Sequence, residues 1–282
     1  MTDSVVARPP DPGRCLVMGV VNVTPDSFSD GGSWFDPEVA VRHGLDLVAE
    51  GADLVDVGGE STRPGAQRVS LTEELRRVVP VVEALVAEGV QVSVDTMRAE
   101  VAEAAVLAGA GLVNDVSGGL ADPEMPQIVA KTGARYVVMH WRGHSHDMQS
   151  RAHYDDVVRE VTDELRRRTE AVAEAGVDPS KIVVDPGLGF AKRPEHNWAL
   201  LAHFAALRAV GFPVLIGASR KRFLGRLLAA PDGTPRPFTG CDDATLAITS
   251  IAAASGAWCV RVHNVRPNAD AVRIAAAIGA AR

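Results

Sequence analysis

The chain has 282 residues, 46% of them hydrophobic and 23% charged, with a formal net charge of −7. That balance argues against a non-specific nucleic-acid surface, which would be basic, and no apolar run reaches the roughly 18 residues of a membrane span. Residues 1–14 lack a long apolar h-region and read as a flexible lead-in, not a signal peptide. Cys15, Cys241 and Cys259 have no metal or redox spacing and read as apolar filler in a reducing cytoplasm. No linker or low-complexity block divides residues 15–282, so a single domain is expected.

The first predicted strand is Leu16 to Val23, and the loop TPDSFSDGGSWFD follows it. Asp36 and Pro37 start a helix that Gly51 stops. A second strand, Leu54 to Val57, leads into GGESTRPGAQR, and a helix then runs from Leu71 to Glu88. The third strand, Val90 to Asp95, is followed by a helix that Thr96 caps and Gly109 ends. Strand four is Leu112 to Val116, with a helix of about ten residues centred on Ile128. Strand five, Tyr136 to His140, opens a long polar loop before a helix from Tyr154 to Ala175. In KIVVDPGLGF, residues 181–190, the run Ile182, Val183, Val184 reads as a buried sixth strand. The turn formers Pro186, Gly187 and Gly189 put the Asp185 carboxylate at the lip of the sheet. Asn197 to Val210 reads as helix, Pro213 to Ala218 as strand seven, and Ser219 as the start of the next helix. A further helix reaches Ser255, strand eight is Trp258 to His263, and the last helix starts near Pro267.

Eight apolar strands alternating with helices imply a parallel sheet covered on both faces. At this length they point to a (β/α)8 TIM barrel. A doubly wound open sheet is the alternative, but it places ligands at one switch point and leaves polar residues at nearly every strand end unexplained. In a barrel those ends share one rim and build the site. They are Asn22, Asp56, Asp95, Asn114, His140, Asp185, Ser219 with Lys221, and Arg261 with His263. Any one of them could be a helix cap or turn former, and Asp56 could be a hydrogen-bonded core group. Two chemistries separate. Asp95, Asn114 and Asp185 suit a flat heterocycle with several N–H donors. Asn22, Ser61, Thr62, Arg63, Arg261 and His263 suit an anion, and Lys221 serves either. No Walker pattern is present, so phosphate would be held by side chains and Mg2+. His140, His144, His146 and His153 read as a solvated loop in preference to a zinc site, because no third ligand is fixed. Arg166, Arg167 and Arg168 read as a solvent-facing turn, and Trp141 and Phe190 flank the rim.

In order, one per strand, come LVMGVVNVTPDSFSDGG, VDVGGESTRPGA, VSVDT, VNDVSGG, VVDPGLGF, IGASRKRFLG and VRVH. Over residues 15–275 the chain thereby resembles the dihydropteroate synthase family. The resemblance implies a homodimeric barrel that joins (7,8-dihydropterin-6-yl)methyl diphosphate to para-aminobenzoate and releases diphosphate. It implies pterin contacts from Asp95, Asn114, Asp185 and Lys221, and a Mg2+ ligand in Asn22. It also implies diphosphate contacts from Ser61, Thr62, Arg63, Arg261 and His263. Phe28, Pro64, Phe190, Lys221 and Arg222 would surround para-aminobenzoate. Asp95, Asp185, Lys221, Arg63, Arg261 and His263 would carry the catalysis. The loops with Phe28, Asp30 and Arg63 resemble mobile ones that close over the pterin. Sulfonamides, which mimic para-aminobenzoate, would inhibit.

Two alternatives remain on the same barrel. A pterin-dependent methyltransferase would share Asp95, Asn114 and Asp185 but would not need Arg63, Arg261, His263 or the SRKR run at 219–222. An inactive pterin-binding paralogue should show damage in the first two loops or at Lys221. The family more often has Asp where Asn264 stands, a change expected to matter little. The alanine-rich helices around 244–257 and 270–281 are candidates for the dimer contact.

Overall fold

The computed structural model describes residues 13–24, 37–61, 68–144 and 148–281. The lead-in at 1–12, Phe28, Asp30, Thr62, Arg63, Pro64 and His146 therefore lie outside the described residues.

Eight strands are present: β1 (Leu16–Asn22), β2 (Leu54–Gly58), β3 (Val92–Asp95), β4 (Leu112–Asp115), β5 (Arg135–Met139), β6 (Ile182–Asp185), β7 (Leu215–Ile216) and β8 (Cys259–Val262). All pairings are parallel, in the order β6-β5-β4-β3-β2-β1-β8-β7. A parallel bridge from Val184 to Val214 joins the two edges, and the Val184 amide donates to the Pro213 carbonyl at 2.8 Å. This is the eight-stranded parallel barrel of the TIM type, joined at its last seam by very few bonds.

Strand periodicity divides the side chains. One phase, with Leu16, Met18, Leu54, Leu112, Val137, Val183, Leu215 and Cys259, packs together as the floor of the barrel interior. The other phase, with Val17, Val55, Val57, Val113, Val138 and Val260, packs with the helices as the larger core. A strand's side chains alternate faces. Asn22, Asp56, Asp95, Asn114, Asp185 and Arg261 therefore fall in the interior phase, above that floor.

The helices are α1 (Pro37–Ala49), α2 (Leu71–Ala87), α3 (Ala99–Leu107), α4 (Met125–Thr132), α5 (Val157–Glu174), α6 (Pro194–Ala202), α7 (Phe204–Arg208), α8 (Arg222–Leu227), α9 (Asp242–Ala254) and α10 (Val265–Ala280). Several boundaries differ from expectation for local reasons. Thr96 does not cap α3; its hydroxyl donates to Glu74 at 2.5 Å, and Asp122 accepts from the Ala99 amide instead. The helix expected over 197–210 begins earlier, with Pro194 at its first turn, and breaks at His203. There the His203 ring lies 2.8 Å from the Ala199 carbonyl, an acceptor the helix also uses. Ser219 does not start α8. Arg220 intervenes with a left-handed φ of 58°, and the helix begins only at Arg222. Arg168 is not a solvent-facing residue, because its guanidinium donates to the Gly118 carbonyl after β4.

Candidate active site

The C-terminal ends of the strands converge on a charged network. Asp56, fully buried, accepts from Ser93 Oγ at 2.5 Å, Asn114 Nδ2 at 2.9 Å and Arg261 Nε at 2.6 Å. The second guanidinium edge of Arg261 donates to Asp95 at 2.8 Å. Arg261 thus spans two carboxylates on neighbouring interior positions, and the heterocycle and anion groups of the rim meet at this residue. Burying three ionic groups is tolerated only because they pair and hydrogen-bond.

Burial dominates the electrostatics. It raises Asp95 to about 7 against the opposing pull of Arg261. It also raises Asp185, against the Gly187 amide bond and the Lys221 charge. Burial lowers Lys221 to about 8 and Lys192 to about 7, against the pull of Asp185. Perturbed groups gathered at one cleft mark a functional site.

Local geometry supplies the rest. Asp185 accepts from the Gly187 amide at 2.7 Å, closing the turn after β6. Gly187 has φ 67°, and a Cβ there would sit 2.4 Å from the His140 carbonyl oxygen, so no other residue fits. Ser219 Oγ lies 2.9 Å from His263 Nδ1 and accepts from the His263 amide at 3.2 Å, which ties the end of β8 to the end of β7. The Lys221 ammonium stands 4.1 Å from the centroid of the Phe190 ring.

A cavity of about 480 Å³ opens above, walled by Asn22, Ser61, Phe190, Lys221, Arg222 and His263 among others. A deeper recess of about 40 Å³ is bordered by Asp95, Asn114, Asp185, Lys221 and Arg261. The two share Asp95, Phe190, Ser219, Lys221, Arg261 and His263, so they form one continuous site. Of the described strand-end residues expected to build the site, all but Asp56 and His140 border it.

The chain matches the model of the family described as pterin binding enzyme over residues 18–263. It is 56% identical over 262 residues to the dihydropteroate synthase of Mycobacterium leprae, spanning 93% of this chain and 92% of that one. The chain belongs to the dihydropteroate synthases of the pterin-binding enzyme family. Solved structures agree. A Yersinia pestis dihydropteroate synthase with a sulfonamide drug complex superposes with a TM-score of 0.89 at 41% identity, covering 96% of each chain. The Xanthomonas albilineans dihydropteroate synthase in complex with 7,8-dihydropteroate gives 0.84 at 44%, covering 95% of this chain and 94% of that one.

Among the described residues, no group of three His, Cys, Asp or Glu side chains could hold a metal. Mg2+ in general needs no such cage, because it keeps several waters and is held through substrate phosphates with only one or two protein ligands, most often carboxylates. The half-buried Asn22 amide in the cavity wall offers one neutral oxygen to such an ion.

The sequence marks Asp56 only as a rim or core group, and the structure makes it the junction of the network. Glu74 and Lys192 are not singled out by the sequence at all. Glu74, 1% exposed, bonds Thr96 and Arg98, and Arg98 also reaches Glu60 at 3.2 Å, anchoring both ends of the second loop. His140 is buried and not part of a solvated loop, and Lys192 lies 2.9 Å from its Nδ1. The sequence marks His140 as a strand end but not its burial; Lys192 carries no signal in the sequence.

One pH effect follows. Lys192 and Lys221 hold their protons less tightly folded than unfolded, because burial lowers them to about 7 and about 8. The unfolded chain then binds more protons between these values and the ordinary lysine range, so stability rises with pH across that interval. Urea unfolding at pH 8 and pH 9.5, above the value of about 7 at which Asp95 acts in the opposite sense, should show greater stability at pH 9.5, and Lys192→Met should reduce the difference.

Proposed function

We infer that this chain condenses (7,8-dihydropterin-6-yl)methyl diphosphate with para-aminobenzoate to give 7,8-dihydropteroate and diphosphate. The observation that carries the reading is the recess lined by Asp95, Asn114, Asp185 and Lys221 beneath a cavity walled by Phe190 and Arg222. The acceptors suit the N–H edge of a pterin, and the flat Phe190 face beside Lys221 suits an aryl carboxylate.

In the reaction the C–O bond at the pterin methylene breaks and its electron pair leaves with diphosphate. The arylamine lone pair forms the new C–N bond and the nitrogen sheds a proton. Negative charge grows on the leaving group, and Arg63, Arg261 and His263, with Ser61 and Thr62, are the groups assigned to it. Their contacts speed the step to the extent that they tighten as charge develops. Asp95 and Asp185 offset positive charge at the methylene. Mg2+, held by Asn22 together with substrate oxygens, would supply charge neutralisation to diphosphate. The deep recess is small for a bicyclic ring, and Arg261 occupies the Asp95 position that a pterin donor would take. Pterin binding to Asp95 would displace that guanidinium edge and turn it toward the diphosphate.

Incubation with both substrates, with and without Mg2+, tests the reading: metal-dependent dihydropteroate, detected by mass, is the expected product. No product with intact pterin binding would sink it. A sulfonamide should compete with the arylamine and leave the pterin diphosphate KM unchanged.

A homodimer in the cytoplasm completes the reading. Ile251 on α9 and Ile274 and Ile278 on α10 are 64%, 61% and 54% exposed, apolar residues on two helices that pack together. Such surface suits a protein contact. Ile274→Glu with Ile278→Glu should halve the mass measured by light scattering; an unchanged mass would place the contact elsewhere.

A further inference from the structure

The loop after β6 is pinned at every peptide from residue 189 to 191. The Gly189 amide donates to Asn197 Oδ1 at 2.7 Å, and Gln149 Nε2 donates to the Gly189 carbonyl at 3.1 Å. Lys192 Nζ donates to the Phe190 carbonyl at 3.1 Å, and the Tyr154 hydroxyl donates to the Ala191 carbonyl at 3.0 Å. This is unusual expense for a loop, and the backbone is correspondingly strained: Ala191 has φ 46°, a region a residue with a Cβ rarely adopts.

Lys192 is itself held from behind. Its Nζ lies 2.9 Å from His140 Nδ1, and His140 Nε2 lies 2.9 Å from Glu164 on α5. Glu164 in turn pairs with Arg142, which stacks 4.0 Å over the Tyr154 ring. His140 is 3% and Lys192 4% exposed. Burial and the neighbouring Lys192 lower His140 to about 4, so its ring is neutral. The neutral ring can accept at Nδ1 from Lys192 while donating from Nε2 to Glu164. The groups facing Lys192 are then His140, Glu164, Arg142 and Tyr154 behind it, and Asp185 and Lys221 on the site side.

We propose that the buried chain Glu164–His140–Lys192 is the device that positions Phe190 for the arylamine. This rests on the reading of Phe190 as the arylamine wall. The chain holds the Phe190 carbonyl, the Tyr154 bond holds the next one, and together they keep Ala191 in its left-handed conformation. The phenyl ring is thereby fixed beneath Lys221. These are positioning residues, removed from the reacting atoms, and they give the histidine-bearing loop after β5 its role.

Steady-state kinetics on the full-length protein test this with para-aminobenzoate and the dihydropterin diphosphate varied separately. His140→Leu, which cannot bridge Lys192 and Glu164, should raise the KM for para-aminobenzoate about tenfold while shifting the pterin KM less than about twofold. His140→Gln, whose amide can accept and donate, should recover most of the loss. Tyr154→Phe keeps the ring and removes one carbonyl bond, so it should fold and raise the same KM by a smaller factor. Phe190→Ala serves as the reference. If it raises the arylamine KM and His140→Leu and Tyr154→Phe do not, the positioning role is overturned while the arylamine reading stands. If His140→Gln behaves like His140→Leu, the effect is only packing and the proposal is overturned. If Phe190→Ala leaves the arylamine KM unchanged, the reading itself fails and the proposal with it.

Discussion

Lys221→Ala is expected to lower kcat/KM by roughly 10²- to 10³-fold, the scale on which a single preorganised charge donor acts, and to leave the barrel folded. Lys221 borders both the recess and the cavity and faces Phe190 at 4.1 Å. It is therefore placed against both substrates. Burial lowers it to about 8, so its charge is held at a cost that the fold does not recover. Removing a poorly solvated cation does not weaken the core, and Lys221 makes no side-chain cap on α8. Unfolding midpoints equal to or above wild type, with turnover nearly abolished, is the expected pair of results. Near-normal rates would undo the assignment of Lys221, and a collapsed midpoint would show that its role is structural.

Arg261→Ala should damage both stability and function. It removes the guanidinium partner of Asp56, which is fully buried and, among the described residues, keeps its bonds from Ser93 and Asn114. Stranding a buried carboxylate in this way costs about 3 to 5 kcal/mol. In kinetics, the KM for the dihydropterin diphosphate should rise well beyond that for para-aminobenzoate. Equal losses would contradict the division of the pocket. Arg261→Lys should recover little, because a point charge cannot bond Asp56 and Asp95 together as the planar guanidinium does. A stability loss below about 1 kcal/mol, the range of an exposed ion pair, would show that Asp56 is solvated in solution.

The barrel was legible because its physics is local. Val183 and Val184 next to Asp185, or Val113 beside Asn114, encode a buried strand and its polar end within a few residues, and the eight-fold repetition of that pattern leaves few topologies. The described rim residues named from the sequence border one continuous cavity except Asp56, which lies beneath it in the charged network, and His140, which is buried behind the loop after β6. Strands three and seven are shorter than expected, and two helix starts moved, each with a single hydrogen bond. Thr96 turned to Glu74 instead of capping α3, and Ser219 turned to His263 instead of opening α8.

The sequence by itself determined the alternating strands and helices and the strand-end polar set, with its acceptors and its anion-suited groups. These depend on residue type and short-range spacing, whereas the aryl surroundings were implied only by the family resemblance. Only the tertiary structure decided which charges share a partner. Arg261 meets Asp56 across 205 positions and Asp95 across 166, and Lys192 meets His140 across 52. Barrel closure sets those distances. A buried charge takes the nearest partner in space, because leaving it alone in a low-dielectric interior costs more than any local preference can supply.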